Sequence, residues 1–396
     1  MPDLLQNIVV YLGSFLLVLS VVVFVHEFGH FQVARWRGVA IDTFSIGFGK
    51  TLLGWRDRQG VQWKVGALPL GGYVKFADDA DAMSSGPREK VEDPAALAEA
   101  RARGLFHAQS LLTRTLVVAA GPVTNFIFAI FAFALLVLVV GRDQTEITDV
   151  PARLSAVAAD SAASAAGLQR GDVIVSVDGN PTPSFLELQQ FIGAAAGREV
   201  ALQIERDGAQ FGVNATPQAA GGDAERGVLG VSGPLALESE RNVTRYGPIE
   251  AVGVGARQTW QIVALTGAYI GGIFTGQNSG RDIAGPLGIL SQSGQVTEAA
   301  ISTGDGDFWQ GLANVALALL GWAAILSVAV GIVNLLPIPI LDGGHLLFYG
   351  IEAVRGGKPL PPAAQEWAYR AGFAVMASLF LFATWNDVTR LFPGVQ

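Results

Sequence analysis

The sequence contains no cysteine among its 396 residues. The absence of thiols excludes a disulfide framework and removes cysteine as a nucleophile or metal ligand. Charged residues are also scarce, at 15% of the chain against 51% hydrophobic residues, which is little charge for a purely soluble protein of this length. The net charge of −8 and the scattered basic residues leave no footprint for nucleic acid. These shortages point to a protein with lipid-facing helices.

Long uncharged stretches occur at four places in the chain, and a weaker fifth lies near its end. Each of the four is long enough to be tested as a transmembrane helix. They are residues 8–25, 116–140, 258–280 and 311–341, with the fifth at 371–386. We expect the first to be a retained helix, because no basic residue precedes it and no small-residue cleavage site follows it.

Basic residues are distributed unevenly between these stretches. Residues 31–115 hold 12 Lys and Arg, whereas residues 141–308 hold 10 in nearly twice the length and residues 1–7 hold none. The positive-inside rule therefore predicts that residues 31–115 lie in the cytoplasm. Within this segment, residues 41–50 and 61–76 have the pattern of short β-strands on either side of a polar turn.

Residues 143–232 have a different pattern, with short alternating strands and turn residues such as the Asp207-Gly208 pair. This pattern predicts a small β-rich domain. The run from Ser164 to Gly179 is similar to the ligand-groove region of a PDZ domain, in which a peptide adds as an extra strand to an open sheet edge. The segment has room for one such domain and not for two.

The most informative motif is His26-Glu27-Phe28-Gly29-His30, which has the spacing His-Glu-x-x-His. On a helix, residues four apart share a face, so both imidazoles point the same way with Glu27 beside them. Such a pair suits Zn²⁺, which needs a third protein ligand and an open position for water. Glu27 then accepts a proton from that water as general base. The pattern also arises by chance, but here it ends an uncharged helix, where ionisable residues are costly unless paired or metal-bound.

The motif does not identify the third ligand. The chain has four histidines, so this ligand comes from His107, His345 or a carboxylate. Asp342 is the first charge after the apolar stretch 311–341, and two prolines end regular helix just before it. Asp342 is therefore the carboxylate candidate. The alternative is an ordinary carboxylate at the membrane interface.

A shared metal constrains the topology. His26 and His30 lie at the cytoplasmic end of the first span, and Asp342 lies at the C-terminal end of its own helix. For Asp342 to reach the same side of the membrane, an odd number of membrane crossings must separate the two motifs. Residues 258–280 are rich in glycine and amide side chains, so we predict that they lie along the membrane rather than across it. Four transmembrane helices result, with both chain ends and the β-rich domain outside the cytoplasm.

Several ordered motifs together carry a family resemblance over nearly the whole chain. In addition to VHEFGH they are FSIGFGK at 44–50, PLGGYVKF at 69–76, AGPVTNF at 120–126, AGPLGI at 284–289 and NLLPIPILDGGHLLF at 334–348. With these motifs the sequence resembles the site-2 protease family, and specifically the bacterial regulator-of-sigma-E type of intramembrane metalloprotease. The resemblance implies that Asp342 completes one catalytic zinc site with His26 and His30.

The resemblance also implies roles for other residues. Asn125 and Asn334 are expected to hold substrate backbone or to steady the oxyanion, since a peptide carbonyl in lipid has no water to stabilise developing charge. The alternative for both is an interhelical hydrogen bond. Gly47, Phe48 and Gly49 are expected to form a membrane-reentrant hairpin that pairs with the unwound substrate, although a plain cytoplasmic hairpin is the alternative. Residues 246–274 are similar to amphipathic helices that gate access. His107 and His345 receive no role, and we expect His107 at the surface and His345 near the site or the membrane interface.

The expected fold class is an α-helical integral membrane protein with four transmembrane helices, a membrane-associated β-hairpin or sheet insert and one β-rich PDZ domain. The predicted segments are a first transmembrane helix at 1–30, a cytoplasmic-side segment with the reentrant hairpin at 31–115, a second transmembrane helix at 116–142, the PDZ domain at 143–232, membrane-associated amphipathic helices at 233–308, a third transmembrane helix at 309–345, and a cytoplasmic loop with the fourth helix at 346–396.

The resemblance implies an intramembrane zinc metalloendopeptidase of the bacterial inner membrane. Its expected substrates are single-pass membrane proteins, either anti-sigma-factor-like regulators after a first cleavage or remnant signal peptides. The PDZ domain is expected to contact substrate or a regulatory peptide, and no nucleic acid is expected.

Two other classes of protein compete with this reading. A non-catalytic PDZ scaffold or chaperone is disfavoured, because Glu27 and all three proposed ligands are present and a structural zinc site normally has four protein ligands. A transporter with a proton relay predicts no zinc, and the sequence shows no obvious inverted repeat.

Overall fold

The computed structural model describes residues 2–77, 93–143, 150–220, 223–233, 242–303 and 307–391. The chain folds into two compact units. The first unit combines Met1–Val139 with Gly247–Gln396, and the second is Val140–Tyr246.

The described helices are α1 (Pro2–Trp36), α2 (Pro94–Ala102), α3 (Leu111–Val140), α4 (Ala162–Ala165), α5 (Phe185–Gly193), α6 (Pro248–Phe274), α7 (Pro286–Ser302), α8 (Phe308–Leu335), α9 (Asp342–Val354) and α10 (Pro362–Leu391), with a short 3-10 helix at Phe106–Ala108. The described strands are β1 (Ile41–Arg56), β2 (Gln62–Phe76), β3 (Arg142–Asp143), β4 (Ala156–Val157), β5 (Val173–Val177), β6 (Asn180–Pro181), β7 (Val200–Arg206), β8 (Ala209–Ala215), β9 (Gln218–Ala220), β10 (Asp223–Val228), β11 (Val231–Ser232) and β12 (Val243–Thr244).

Four of these helices are long and apolar enough to cross a membrane, namely α1 from Ile8 onwards, α3, α8 and α10. Many of their apolar side chains face outwards, as Phe131 on α3 and Phe380 on α10 do with more than half of their surface exposed. Large exposed apolar surfaces suit lipid rather than water. Helix α6, which contains most of the uncharged stretch 258–280, is not among the candidates in the described part of the chain.

Helices α1, α3 and α8 form the centre of the first unit. Val18 and Val22 of α1 pack against the α8 residues Leu319 and Ala323. Further along α8, Ala324 and Val328 pack in the same way against Ala129 and Phe133 of α3. Because small side chains alternate with larger ones, the helices approach closely, which is how helix association is stabilised in lipid.

Helix α7 is held between α1 and α8 by polar contacts. The hydroxyls of Ser14 and Thr297 lie 2.7 Å apart, and the indole of Trp322 donates to Ser293 at 2.9 Å. The buried carboxylate of Asp387 on α10 accepts from the backbone N–H groups of Gly285 and Gly288, each at 2.9 Å. Asp387 therefore satisfies donors that the start of α7 would otherwise leave unpaired.

Strands β1 and β2 are long, bent and antiparallel, and together they form a sheet of four strand segments. The first half of β1 pairs on both sides, with Gln62–Val65 along one edge and Gly72–Lys75 along the other. The second half of β1, Thr51–Arg56, pairs with the start of β2. The end of β2, from Gly72 to Phe76, is consequently an outer edge of this sheet.

The structure corrects one detail of the sequence prediction at Asp342. This residue is not at the end of a long helix, since α8 ends at Leu335 and Asp342 is the first residue of the separate helix α9. Leu336 precedes Pro337 and has an extended ψ of 142°, because a residue before proline disfavours the helical region. Gly343 and Gly344 lie in the first turn of α9, and a Cβ on Gly343 would lie 2.3 Å from the carbonyl oxygen of Leu335. They allow α9 to pack directly on the end of α8.

The second unit contains a four-stranded antiparallel sheet in the order β6-β5-β7-β8. Its core includes Ile174, Leu188 and Ile204, all nearly inaccessible to solvent. The predicted turn at Asp207-Gly208 is confirmed between β7 and β8, and both residues have positive φ, as a tight hairpin turn requires.

Candidate metal centre

His26, His30 and Asp342 converge on one point. His26 and His30 lie one turn apart on α1, and their Nε2 atoms are 3.3 Å from each other. Oδ2 of Asp342 lies 3.2 Å from the His26 Nε2 and 3.4 Å from the His30 Nε2. The three side chains are only 12%, 13% and 17% exposed. Three potential ligand atoms therefore meet in a nearly enclosed space.

The donor set fits zinc. Ligand atoms around a tetrahedral zinc with bonds of about 2.0–2.1 Å are about 3.3 Å apart, close to the three distances observed. Two imidazoles and one carboxylate are also the typical protein ligands of a catalytic zinc, which keeps a fourth position free. Within the described residues, Oδ2 of Asp342 is buried without a hydrogen-bond partner, as expected of an atom placed to bind a cation.

Glu27 and the three candidate ligands line one cavity of about 280 Å³, which we call the zinc cavity. Its wall also includes Asn334 and the outer edge of β2. Glu27 therefore shares one space with the candidate metal ligands. A general base beside an open metal position is the arrangement that peptide hydrolysis requires.

Two glycines let α1 and α3 approach at the metal centre. A Cβ on Gly29 of α1 would lie 2.5 Å from the carbonyl oxygen of Ala120 on α3. A Cβ on Gly121 of α3 would lie 2.3 Å from the His30 Nε2 and 2.8 Å from the His26 Cε1. Any side chain at position 121 would therefore occupy the space of the imidazoles.

A buried ion pair fixes α9, which carries Asp342. Arg114 at the start of α3 donates to both carboxylate oxygens of Glu352, at 2.7 and 3.1 Å. The same guanidinium lies 4.9 Å from the ring centre of Tyr349, a residue of the zinc cavity wall. Burial raises the pKa of Tyr349 to about 12, so its hydroxyl stays protonated at neutral pH. Paired, bidentate geometry of this kind holds a short helix in one position.

The remaining candidate residues occupy different places. Asn334 lines the zinc cavity and donates to the carbonyl of Val330 at 3.0 Å. Asn125 is fully buried and lies behind His26, with its amide nitrogen 3.2 Å from the His26 Nδ1. Among the described residues it is not part of the cavity wall.

Gly47, Phe48 and Gly49 form the bend in the middle of β1. The two glycines have φ values of +83° and +84°, a conformation that favours glycine. The ring of Phe48 stacks on Tyr73 with centroids 6.0 Å apart, and Tyr73 lines the zinc cavity. The bend therefore supports a residue of the cavity wall rather than forming the wall itself.

The edge strand that lines the cavity was not predicted from the sequence. Gly72, Tyr73, Val74 and Phe76 of β2 all belong to the wall. A Cβ on Gly72 would lie 2.9 Å from the Glu27 Cγ, so glycine is needed for this edge to pass close to Glu27. The repeated glycine in the PLGGYVKF motif was the available signal.

The structure also shows where the two histidines without a predicted role lie. His345 lies one helical turn after Asp342 and lines the zinc cavity, where its ring is 6.0 Å from that of Tyr369. His107 belongs to the short 3-10 helix before α3 and does not line the cavity.

These features define a zinc metalloprotease whose metal centre is built into a bundle of apolar helices. Comparison with known proteins agrees with this class. Residues 14–379 match the profile of Peptidase family M50. The chain belongs to this family, so its resemblance to the site-2 proteases is confirmed, as are zinc as its cofactor and its place among the zinc-dependent proteases.

Similar proteins cover almost the full length. A Rhizobium meliloti protein named as a zinc metalloprotease is 41% identical, over 99% of this chain and 100% of its own. Metalloprotease MmpA of Caulobacter vibrioides is 37% identical over 96% of this chain and 95% of its own. The regulator of sigma-E protease RseP of Salmonella typhimurium is 31% identical over 96% of this chain and 98% of its own.

Proposed function

We propose that this protein hydrolyses peptide bonds within the transmembrane segments of other proteins, with His26, His30 and Asp342 holding the zinc and Glu27 as general base. The observation that carries the proposal is the convergence of three ligand atoms, all within 4.8 Å of one another, from helices at opposite ends of the chain. The helix that carries two of them is apolar enough to cross a membrane. A protease site in such a helix bundle suits a substrate that is itself a membrane helix.

The chain's own residues supply positioning and proton transfer. Zinc held by His26, His30 and Asp342 would polarise water and the substrate carbonyl. Glu27 accepts the proton of the attacking water and passes it to the leaving amine. Asn334 and His345 both lie in the cavity wall. These two polar groups stabilise the polarised carbonyl.

The substrate must present an extended backbone, because a helix hides its peptide bonds in its own hydrogen bonds. The outer edge of β2 at Gly72–Phe76 is suited to bind such a segment. Its inner side pairs with the first half of β1, and its residues line the zinc cavity. An unwound substrate segment added to this edge as a further strand would have its backbone fixed beside Glu27. The bend at Gly47–Phe48–Gly49 contributes by supporting Tyr73.

The topology follows from the same proposal. Helices α1, α3, α8 and α10 cross the bacterial inner membrane, residues 31–115 face the cytoplasm, and α6 lies along the membrane. The second unit is a PDZ domain outside the cytoplasm that binds an extended peptide. The substrate classes are regulators of the anti-sigma-factor type after a first cleavage, or remnant signal peptides, since RseP is named as a regulator of sigma-E protease.

The test is cleavage by the purified full-length chain in liposomes. Two substrates are used: a single-span protein without its outer domain, and a remnant signal peptide. We expect at least one to be cut inside its apolar segment, with the site located by mass spectrometry. A zinc chelator should abolish cleavage, and added zinc should restore it.

Cleavage that resists the chelator, or cuts only in the polar flanks, contradicts the proposal. Absence of product from both substrates does so too, and would favour a non-catalytic scaffold. The same flank sequence offered as a soluble peptide is the control, and it should not be cut.

A further inference from the structure

The two histidines of the metal centre need partners for their second ring nitrogens. A neutral imidazole that binds a metal through Nε2 carries its proton on Nδ1, and that N–H needs an acceptor that fixes the tautomer and the ring orientation. His30 has such a partner, since its Nδ1 lies 2.8 Å from the carbonyl oxygen of Val117 on α3. The corresponding partner of His26 decides how firmly the centre holds zinc.

The group at the Nδ1 of His26 is the side-chain amide of Asn125. Asn125 is 0% exposed, and its amide nitrogen lies 3.2 Å from that Nδ1. Its Oδ1 is buried and has no hydrogen-bond partner within the described residues. The 3.2 Å contact does not by itself assign the donor, because that depends on which nitrogen of His26 carries the proton.

We propose that, with zinc bound, Asn125 accepts the Nδ1–H of His26 through its Oδ1 and thereby positions His26 as a ligand, and that it does not bind substrate. Rotation of the amide by 180° brings Oδ1 to the position facing Nδ1. This inference rests on the proposed function.

The local structure supports a fixed position for Asn125. Val117, Gly121 and Asn125 are four residues apart, so they form one stripe of α3 that faces both histidines. Gly121 in the middle leaves room for the two rings. The hydroxyl of Ser327 on α8, also fully buried, donates to the backbone carbonyl of Asn125 at 3.1 Å. The part of α3 around Asn125 is therefore in contact with α1 on one side and with α8 on the other.

Zinc affinity of the purified full-length chain, measured by competition with a chromophoric chelator, tests the inference. Asn125→Leu keeps the approximate shape but removes the acceptor, and we expect zinc to bind about 10–100-fold more weakly. Asn125→Asp offers a carboxylate acceptor in either orientation, so its zinc affinity should stay close to that of the unchanged chain or increase. Asn125→Ser, whose hydroxyl is too short to reach the ring, should resemble the Leu variant and replaces it if that variant does not fold.

Asn334→Leu is the matched control, because Asn334 lines the zinc cavity without contact to a ligand histidine. It should leave zinc affinity unchanged while raising KM or lowering kcat. Unchanged zinc affinity in both Asn125→Leu and Asn125→Ser, with a raised KM, overturns the inference and makes Asn125 a substrate group. If the unchanged chain binds no zinc at all, the proposed function fails instead, so the two failures are distinguishable.

Discussion

Gly121→Ala is expected to remove bound zinc and, with it, proteolytic activity. The new methyl group would lie 2.3 Å from the His30 Nε2 and 2.8 Å from the His26 Cε1, so at least one imidazole has to move by about 1 Å. Metal ligands tolerate deviations of only about 0.2 Å. A displacement of about 1 Å at a reacting centre costs about 100-fold in rate, and we expect at least that loss in kcat/KM. Zinc content and cleavage rate are both measured.

Gly13→Ala is the matched control for this substitution. Gly13 is also in an apolar helix, and nothing lies within 4 Å of its added Cβ. Alanine is favoured over glycine inside a helix by roughly 0.5–1 kcal/mol, so this variant should fold and cleave normally. Stoichiometric zinc and full activity in Gly121→Ala would show that the imidazoles do not occupy the space next to α3.

Glu27→Gln is expected to abolish turnover and keep the metal. The amide has nearly the same shape as the carboxylate, but it cannot accept the proton of the attacking water. Loss of a general base lowers rates by about 10²–10⁴-fold, and we expect this loss in kcat. Zinc content should be unchanged, because His26, His30 and Asp342 remain. Single-turnover cleavage and metal analysis on the same preparation distinguish a loss of catalysis from a loss of zinc.

Glu99→Gln on α2 is the control for the loss of one carboxylate. Glu99 is exposed and lies outside the zinc cavity, so this variant should cleave at the normal rate. A Glu27→Gln protein that cleaves as fast as the unchanged chain would remove Glu27 from the mechanism.

The candidate membrane-spanning helices and the shared helix face of His26 and His30 could be predicted because their signals are local. A long uncharged stretch predicts a span wherever it occurs, and the spacing of His26 and His30 alone brings both onto one helix face. The prediction that residues 258–280 do not cross the membrane also required that His26, His30 and Asp342 share one metal. Helix α6 is absent from the candidate spans of the described chain.

The structural features that could not be predicted from the sequence depend on contacts between distant segments of the chain. The sequence predicted that Asp342 lies beside His26 and His30. It did not predict that Asp342 begins α9, because that depends on how this helix packs against the end of α8. The burial of Asn125 behind His26 depends on the approach of α1 to α3. No periodicity in the sequence identifies Gly72–Phe76 as the edge beside Glu27, because strand order in a bent sheet is a tertiary property.

The shared metal centre is tested most directly by metal analysis of the pure chain combined with X-ray absorption at the zinc edge. We expect one zinc per chain, bound by two imidazole nitrogens with the remaining ligands oxygen. Asp342→Ala should lose most of the metal, whereas Glu27→Gln should keep it. A chain that binds no zinc, or whose zinc environment is unchanged without Asp342, would contradict the claim that α1 and α9 share one metal centre.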